Sequence, residues 1–358
     1  MKIRNKIFVI NVFCLIMLFF VVACKENKQG LIGLFDSQKK LIHEKIQLAN
    51  DKDYLSRVGG IFLDGNSLVI NNDDEKTYMT IFNIKSKMFT NSFIKHGNGP
   101  KEMFSPPQST QILAGNKLSY LDAQTQTLYQ ADYSQPDNVQ IAQKLNLIKG
   151  VNFTMGLIPM AYDYYIGIGF FEAGRYAVID KKGKNVSYNF DYPKDDSQPG
   201  TNAQKAMAFQ GGLIANPNRT KFFFYGMTSE ILEIMQLEKN GSLTKIKDIH
   251  YDLAKYKPLG DGKNSVSSAI KKESKVAFIS ASATKKYIYL LYSGRTIESS
   301  FDLAFKSNTI LVFDWEGRSV IKYNLDVDVN YIAVSEDDKV IYAIANTATD
   351  TNIIKFDL

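Results

Sequence analysis

The chain carries the segment Phe62-Leu-Asp-Gly-Asn-Ser-Leu-Val-Ile70 and, fifty residues further on, its counterpart Ile112-Leu-Ala-Gly-Asn-Lys-Leu-Ser-Tyr120. Each segment places Gly-Asn between two apolar runs, and this dipeptide tolerates the positive φ that a tight hairpin turn needs. Looser copies of the same hairpin begin at Tyr162, Asn216, Thr284 and Glu336. The sequence therefore repeats one hairpin six times, at intervals of roughly fifty residues.

A second hairpin follows each copy of the first along the chain. Its clearest copies are Tyr176-Ala-Val-Ile-Asp-Lys-Lys-Gly-Lys184 and Ile310-Leu-Val-Phe-Asp-Trp-Glu-Gly-Arg318, and Asn240-Gly241 turns a third. Two hairpins in each repeat give four strands, and radial repetition of four-stranded sheets is how a β-propeller protects its sheet edges. We therefore predict an all-β fold, a six-bladed β-propeller over residues 34–358. Two packed β-sandwiches would explain the strands but not the fifty-residue repeat.

The last copy of the second hairpin is one strand short. Asn352-Ile-Ile-Lys-Phe-Asp-Leu358 ends the chain, whereas Leu41-Ile-His-Glu-Lys-Ile-Gln-Leu48 alternates apolar and polar residues ahead of the first blade. We predict that these two segments pair, so that N- and C-terminal strands close the ring. His43 would then lie on the polar side of an edge strand, in contact with solvent alone.

The first residues of the chain have the pattern of a targeting segment. Lys2, Arg4 and Lys6 precede an apolar run over residues 7–22. This run is shorter than the roughly 20 residues that a membrane-spanning helix needs. We predict that residues 1–23 are a signal peptide that is removed from the mature protein.

The apolar run ends in Val21-Val22-Ala23-Cys24, which resembles the lipobox of bacterial lipoproteins. The resemblance implies that Cys24 is lipidated and anchors the protein to a membrane. Residues 24–33 would then form the lipidated end and a flexible tether, because they are mostly polar at their start. An ordinary secretory signal that happens to end in Ala-Cys is the alternative.

Composition narrows the classes of protein and partner. The only other cysteine, Cys14, lies in the signal peptide, so the mature domain must be held by its core without disulfides. Removing the three cations of the signal peptide lowers the formal charge from +6 to +3 (6 − 3). This value lacks the concentrated basic character of a nucleic-acid binder. We expect a monomer that does not bind nucleic acid.

Three further segments, together with the lipobox at Cys24, resemble a known family. They are His96-Gly-Asn-Gly-Pro-Lys-Glu102, Leu291-Tyr-Ser-Gly-Arg295 and Phe313-Asp-Trp-Glu-Gly-Arg318. The sequence is similar here to the TolB-like six-bladed β-propeller lipoproteins of Gram-negative envelopes. The resemblance implies the propeller fold and a lipid-anchored position in the cell envelope, at the outer membrane, on its periplasmic or its outer side. It implies no catalytic residue.

Connectivity predicts which face of the propeller is functional. In each blade, the links between strands one and two and between strands three and four open on one face. These links are short here, as at Gly65-Asn66 and Gly183, and define the short-turn face. All other links open on the opposite, long-loop face, and the longest are residues 96–107, 192–205, 254–275 and 293–307. Because function concentrates on such loops, the long-loop face is the predicted binding face.

Two segments of the long-loop face supply the candidate binding residues, which are His96, Asn98, Lys101, Glu102, Tyr292 and Arg295. Lys101 and Glu102 offer charge of both signs, and the fork of Arg295 suits a carboxylate or phosphate oxygen. The alternatives are a structural corner for the first segment and an internal ion pair for Arg295.

The sequence has none of the common catalytic motifs. It contains no Gly-x-Ser-x-Gly elbow and no His-Glu-x-x-His pair, and its only histidines are His43, His96 and His250. The acidic clusters at 73–75, 195–196 and 336–338 lack calcium-loop spacing, so solvated turns are the better interpretation. We therefore expect no metal and no cofactor.

Two functions remain open at this point. The first is a membrane-anchored binding module for an envelope protein, peptide or glycan. The alternative is an enzyme of the lactonase or lyase kind, with a metal at the mouth of the propeller channel. Acidic side chains and Asn around the axis would favour the enzyme, whereas a channel plugged by apolar side chains would favour binding.

Overall fold

The computed structural model describes residues 30–50, 54–99, 101–135, 138–147, 152–193, 200–298, 301–346 and 350–358. The predicted signal peptide, the lipidation site Cys24, Pro100 and the acidic pair at 195–196 lie outside these residues. In the described part of the chain, no helix combines the length and apolar character needed to cross a membrane.

The described chain begins at the rim of the domain. A 3₁₀ turn, Leu31–Leu34, is followed by two short strands, β1 (Gln38–Leu41) and β2 (His43–Lys45). Leu31 is only 1% exposed and belongs to a hydrophobic cluster of the core. Leu31, which lies in the predicted tether, therefore packs against the domain, and its burial removes apolar surface from water.

Blades one to three are antiparallel sheets of four consecutive strands each. Blade one consists of β3 (Arg57–Asp64), β4 (Ser67–Asp73), β5 (Thr77–Asn83) and β6 (Met88–Lys95). Blade two consists of β7 (Gln108–Leu113), β8 (Lys117–Asp122), β9 (Thr127–Asp132) and β10 (Val139–Lys144), followed by the 3₁₀ turn Leu145–Leu147. Blade three consists of β11 (Thr154–Pro159), β12 (Tyr164–Gly169), β13 (Tyr176–Asp180) and β14 (Val186–Asn189).

Blades four to six complete the ring. Helix α1 (Asn202–Ala208) leads into blade four, which consists of β15 (Gly211–Ala215), β16 (Lys221–Gly226), β17 (Ile231–Leu237) and β18 (Leu243–His250). A separate hairpin of β19 (Tyr256–Leu259) and β20 (Ser267–Ile270) precedes blade five, which consists of β21 (Lys275–Ala283), β22 (Tyr287–Thr296), helix α2 (Phe301–Ala304), β23 (Ser307–Asp314) and β24 (Ser319–Val329). Blade six consists of β25 (Tyr331–Val334), β26 (Val340–Asn346), β27 (Thr351–Asp357) and β2.

The first strand of each blade contacts the first strands of both neighbouring blades around a closed ring. The predicted all-β, six-bladed propeller is therefore confirmed. Its core is divided among six hydrophobic clusters, each formed by two adjacent blades. Strands inside a blade, such as β4, are continuously buried because neighbouring blades cover both of their faces, whereas the outer strand β6 is mostly exposed.

The two ends of the chain close blade six. β2 pairs with β27 in antiparallel fashion, with His43 opposite Phe356 and Lys45 opposite Ile354. The predicted closure is thus confirmed, but the pairing is shorter than predicted. Leu41 instead belongs to β1, which pairs in parallel with β24 as a fifth strand of blade five. The chain changes blade at Ile42 because Leu41 and Ile46 are buried at two different blade interfaces.

The expectation that His43 contacts only solvent is wrong. Its Nδ1 atom lies 3.0 Å from Oδ2 of Asp326, and its backbone amide donates to Oδ1 of the same residue at 3.1 Å. His43 thereby connects the N-terminal strands to β24 near the point where the chain leaves blade five.

Candidate functional site

The links between strands differ in length on the two faces, as predicted. On the short-turn face the longest link has six residues, 133–138. On the long-loop face the links at 96–107, 190–210 and 251–274 are much longer. Two of them carry structure of their own, helix α1 and the β19–β20 hairpin.

The loop from His96 to Glu102 is held together by its own atoms. A carboxylate oxygen of Glu102 accepts a hydrogen bond from the Gly99 amide at 2.9 Å, and the Gly97 amide donates to the Met103 carbonyl. At Gly97, where φ is 148°, a Cβ atom would lie 2.0 Å from that carboxylate, so a larger residue would strain the backbone and displace the Glu102 side chain. These contacts support the structural corner that the sequence left as one of two alternatives.

The other candidate residues of this loop differ in environment. The His96 ring packs on the Tyr78 ring with centroids 3.9 Å apart, and its Nε2 atom lies 3.3 Å from Asp73. Asn98 and Lys101 are exposed. Within this loop, Asn98 and Lys101 are thus the candidates best presented to a partner.

Tyr292 and Arg295 are engaged inside blade five. The Tyr292 hydroxyl donates to Oε1 of Glu230 at 2.5 Å, and the residue is 5% exposed. The Arg295 guanidinium faces Asp328, with Nη1 to Oδ2 at 3.2 Å and Nη2 to Oδ1 at 3.3 Å. Nη1 also donates to the carbonyl of Leu303 at 2.8 Å. The internal ion pair considered for Arg295 is therefore present, and a binding role for these two residues stays a prediction.

The structure does not bring the two candidate groups together. His96 to Glu102 link blades one and two, whereas Tyr292 and Arg295 belong to the second strand of blade five. Blade six stands between blades five and one. They are therefore two separate features of the long-loop face.

A larger feature lies at the axis of the ring. The first strand of each blade enters from the long-loop face, and the starts of these strands surround a cavity of about 610 Å³. Pockets for small ligands commonly have volumes of about 300–1,000 Å³. We call this cavity the channel mouth. Sequence reasoning missed it because its residues come from blades one to six, separated by up to 272 positions (59 to 331).

The described side chains that line the channel mouth are uncharged. Its lining includes the polar side chains of Asn71, Gln108, Ser109, Thr110, Gln111, Gln210, Tyr225, Ser280 and Tyr331, and aromatic or apolar side chains such as Phe62 and Phe278. No aspartate, glutamate, histidine, lysine or arginine is among its described lining residues. At this end the channel is neither ringed by acids, which would favour the enzyme, nor plugged by apolar side chains, which would favour binding.

Two tyrosines, Tyr225 and Tyr331, contribute phenol groups to the channel mouth. Burial, with a contribution from the nearby Tyr331 phenol, raises the pKa of Tyr225 to about 12. Burial also raises the pKa of Tyr331. Both phenols therefore keep their protons at physiological pH and can donate as well as accept hydrogen bonds.

The glycines of the inner strands explain how Tyr225 reaches the mouth. Tyr225 on β16 lies directly opposite Gly212 on β15. A Cβ atom at Gly212 would lie 2.5 Å from the Tyr225 ring, so the absence of a side chain lets the ring cover the inner strand. The pairs Gly211-Gly212 and Gly59-Gly60, each before an apolar run, are signals in the sequence that could have indicated this site, since glycine in a strand often marks a close approach.

Blades three and four share a buried charge cluster that the sequence did not predict. Nη1 of Arg175, which is 1% exposed, lies 2.9 Å from Oε2 of Glu233. The Tyr176 hydroxyl donates to Glu233, and Nε2 of His250 lies 3.1 Å from Oε1 of Glu233 and 2.5 Å from Oδ1 of Asp248. Burial alone would raise the pKa of Glu233, but the Arg175 charge, with the hydrogen bonds from His250 and Tyr176, holds that pKa below its ordinary value.

The residues present do not fit a metal at the channel mouth. Carboxylates and imidazoles supply most protein ligands of catalytic divalent ions, and the described lining of the mouth has neither. Within the described residues, the one group of such side chains with close ligand atoms is Glu233, Asp248 and His250, on the third and fourth strands of blade four. There the charge of Arg175 already compensates Glu233.

The opposite end of the channel is charged. Its lining includes Asp64, Arg219, Lys285 and Glu336, at the ends of the first strands and in the turns that follow them. Asp64 accepts a hydrogen bond from the Tyr133 hydroxyl, and Nη2 of Arg219 donates to the Ile112 carbonyl at 2.9 Å. At least these two charged residues therefore have internal partners.

Solved structures share this architecture at low sequence identity. A protein of Bacteroides fragilis NCTC 9343 described as exported is 14% identical, with a TM-score of 0.53 over 88% of this chain and 94% of its own. The protein U3-55K is 10% identical, with a TM-score of 0.50 over 88% of this chain and 98% of its own. Regucalcin of Agrobacterium tumefaciens C58, a calcium-binding protein, is 11% identical, with a TM-score of 0.48 over 89% of this chain and 95% of its own. The first two similarities show the fold alone.

Sequence comparison identifies the family. No curated protein has a significantly similar sequence. The profile of a family described as TolB-like 6-blade propeller-like, however, matches residues 38–337. This range begins at β1 and extends into blade six, so it spans nearly the whole ring described above. The chain belongs to the family of TolB-like six-bladed propellers.

Proposed function

We propose that the protein is a lipid-anchored binding module of the cell envelope, which presents its long-loop face to a protein, peptide or glycan. The observation that carries the proposal is the open, uncharged channel mouth on that face. A cavity with convergent polar groups and no carboxylate, imidazole or amine suits recognition, whereas hydrolysis or elimination most often uses one of these groups or a metal.

Exposed apolar side chains are a second argument for the long-loop face. Single exposed apolar residues are normal, whereas contiguous exposed apolar patches are typical of interaction surfaces. Of the eleven large hydrophobic side chains that are exposed in the described chain, six lie in links of this face: Tyr54, Phe104, Phe153, Tyr251, Leu259 and Leu303. Phe104 is 67% exposed, in the link between blades one and two.

The start of the described chain supports an orientation for the anchored domain. The Ser319 hydroxyl donates to the Leu34 carbonyl at 2.6 Å, and Ser319 follows a turn of the short-turn face. Residues 24 to 30 can span about 20 Å when fully extended. With a lipid on Cys24, the short-turn face would therefore lie beside the membrane and the long-loop face would point away from it. The B. fragilis protein described as exported is consistent with an envelope location.

Binding at the mouth can be tested by blocking it. Gln108 lines the mouth and is exposed, so Gln108→Trp should fill the opening without disturbing the core. Gln140→Trp on the outer strand β10 of the same blade is the matched control. Purified full-length protein would be screened with envelope-derived peptides, proteins and glycans by thermal shift, since a ligand of the native state raises the Tm.

We expect at least one class of ligand to raise the Tm of the wild type and of Gln140→Trp but not of Gln108→Trp. Equal responses of the two variants would contradict binding at the mouth. If the protein hydrolyses lactones and a chelator abolishes that activity, the result would instead support the enzyme alternative.

A further inference from the structure

We infer that the channel mouth binds an uncharged saccharide, held by neutral hydrogen-bonding side chains around Thr110, Tyr225 and Tyr331. The inference rests on the proposed binding function and narrows it to one class of ligand. It is carried by the charge, the hydrogen-bonding groups and the aromatic surfaces of the mouth.

The charge of the lining restricts the ligand. The described lining residues of the mouth include no ionic side chain. A charged ligand would lose its hydration on entry and find no counter-charge, and an unpaired buried charge is very costly. The ligand that fits is therefore neutral.

An unpartnered hydroxyl points to a polar ligand. Thr110 is 4% exposed, and its Oγ1 atom is buried without a hydrogen-bond partner among the described protein groups. A buried hydroxyl without a partner destabilises the protein by about 1–3 kcal/mol, so such groups usually have a partner. Thr110 is one of the residues that line the channel mouth, and a ligand hydroxyl could supply that partner once a small shift of the lining uncovers the oxygen, which has almost no exposed surface.

The remaining polar groups both donate and accept. The phenols of Tyr225 and Tyr331 and the amides of Gln108 and Gln210 line the same space. Phenol and carboxamide groups each offer a donor and an acceptor, as do the hydroxyl groups of a sugar. A polyhydroxylated ring can therefore satisfy these groups without any ionic contact.

Aromatic rings supply the apolar part of the site. The Tyr225 ring lies over the backbone of Gly212, and the Phe62 ring lies 3.4 Å from the position of a Cβ atom at Gly60. Both rings line the mouth, from blades four and one, which face each other across a six-bladed ring. The C–H face of a pyranose is apolar and packs on such rings, whose faces carry the negative end of the ring quadrupole.

The test uses neutral gluco-, manno- and galacto-oligosaccharides of two to four units, titrated into the full-length protein by calorimetry. The matched probes are the same oligosaccharides carrying a uronic acid, and an uncharged hexapeptide. We expect saturable binding of at least one neutral oligosaccharide and at least tenfold weaker binding of its acidic counterpart.

Three variants locate the binding. Thr110→Val keeps the shape and removes the hydroxyl, and Tyr225→Phe and Tyr331→Phe keep the rings and remove the phenols. Each should weaken binding about fivefold, the effect of one hydrogen bond, while the Tm is unchanged or raised. Tyr162→Phe on the short-turn face is the control and should bind as the wild type does.

The outcomes separate this inference from the proposed function. If the hexapeptide or the acidic saccharide binds, and the three variants weaken that binding, the saccharide assignment is wrong and the binding function stands. If saccharides bind but the variants and Tyr162→Phe behave alike, the site assignment is wrong. If no probe binds, the saccharide inference fails, and the blocked-mouth variant Gln108→Trp then decides whether the mouth binds anything else.

Discussion

Arg295 and Asp328 form a two-pronged ion pair that connects the second strand of blade five to the last residues of β24. The same guanidinium donates to the carbonyls of Leu303 and Lys306, at 2.8 and 3.0 Å. Arg295 therefore holds the segment around helix α2 against its own blade. These contacts fix Leu303 and Lys306, in the described part of this link, without any ligand.

The first prediction concerns the stability of this segment. Arg295→Ala should lower the free energy of unfolding by about 1–2 kcal/mol, because Asp328 and the carbonyl of Lys306 lose the guanidinium as their donor. Arg295→Lys should be nearly as unstable as Arg295→Ala, since an ammonium group cannot reproduce a bidentate contact. Urea denaturation of the two variants measures both effects. If Arg295→Ala keeps wild-type stability but loses ligand binding, the contact role predicted from the sequence is the correct one.

The sequence predicted the blades because their turns are local. Gly65 and Gly317 adopt φ values of 56° and 74°, and both were recognised from the residues beside them. The parallel pairing of β1 with β24 could not be recognised in this way. This pairing depends on the burial of Leu41 beside Leu325, a residue 284 positions away (325 − 41).

The candidate site was predicted only in part, for a similar reason. Loop length correctly distinguished the two faces, because it is a property of each link alone. The channel mouth instead combines Thr110, Tyr225 and Tyr331 from three blades, and no single motif contains them. Two charged residues that the sequence indicated as binding residues, Glu102 and Arg295, have internal partners. Spacing along a sequence does not reveal such partners.

The second prediction concerns the buried pair of Arg175 and Glu233. Glu233→Gln should destabilise the protein by about 3–5 kcal/mol, because it leaves the buried guanidinium without a counter-charge. Lys181→Ala, which removes an exposed ion pair with Asp163, is the control and should leave the Tm nearly unchanged. Thermal unfolding compares the two. A Glu233→Gln variant as stable as the control would show that Arg175 is compensated in another way.

The third prediction concerns closure of the ring. Deleting residues 353–358 removes Ile353, Ile354 and Phe356, which are buried and contribute about 1.5–3 kcal/mol each. This sum approaches the whole stability of a typical domain, so blade six should open and the Tm should fall steeply. Deleting residues 25–29 of the tether should have little effect. Equal melting curves for the two truncations would mean that the ring closes without β27.

The fourth prediction concerns alkaline pH. Burial raises the pKa of Tyr225 to about 12, from an ordinary value of about 10. Because the pKa of Tyr225 is higher in the folded than in the unfolded state, the protonated phenol contributes to the stability of the fold. This contribution is complete below pH 10 and is lost as the pH rises from about 10 through about 12. The free energy of unfolding should therefore fall over that range, and Tyr225→Phe should reduce the fall, whereas Tyr162→Phe, an exposed tyrosine, should not. A fall that begins well below pH 10 would point to other groups.

The last prediction concerns the membrane anchor. Cys24→Ala should move the protein from the membrane fraction to the soluble fraction, because several acyl chains, at about 0.8 kcal/mol for each buried methylene, would supply the attachment. Cys14→Ala is a matched control, since that cysteine lies in the predicted signal peptide and should not matter for anchoring. Fractionation of cells that produce each variant, followed by mass spectrometry of the mature N-terminus, distinguishes anchoring from export. A Cys24→Ala protein that still sediments completely with membranes would contradict the lipid anchor and, with it, the orientation proposed for the long-loop face.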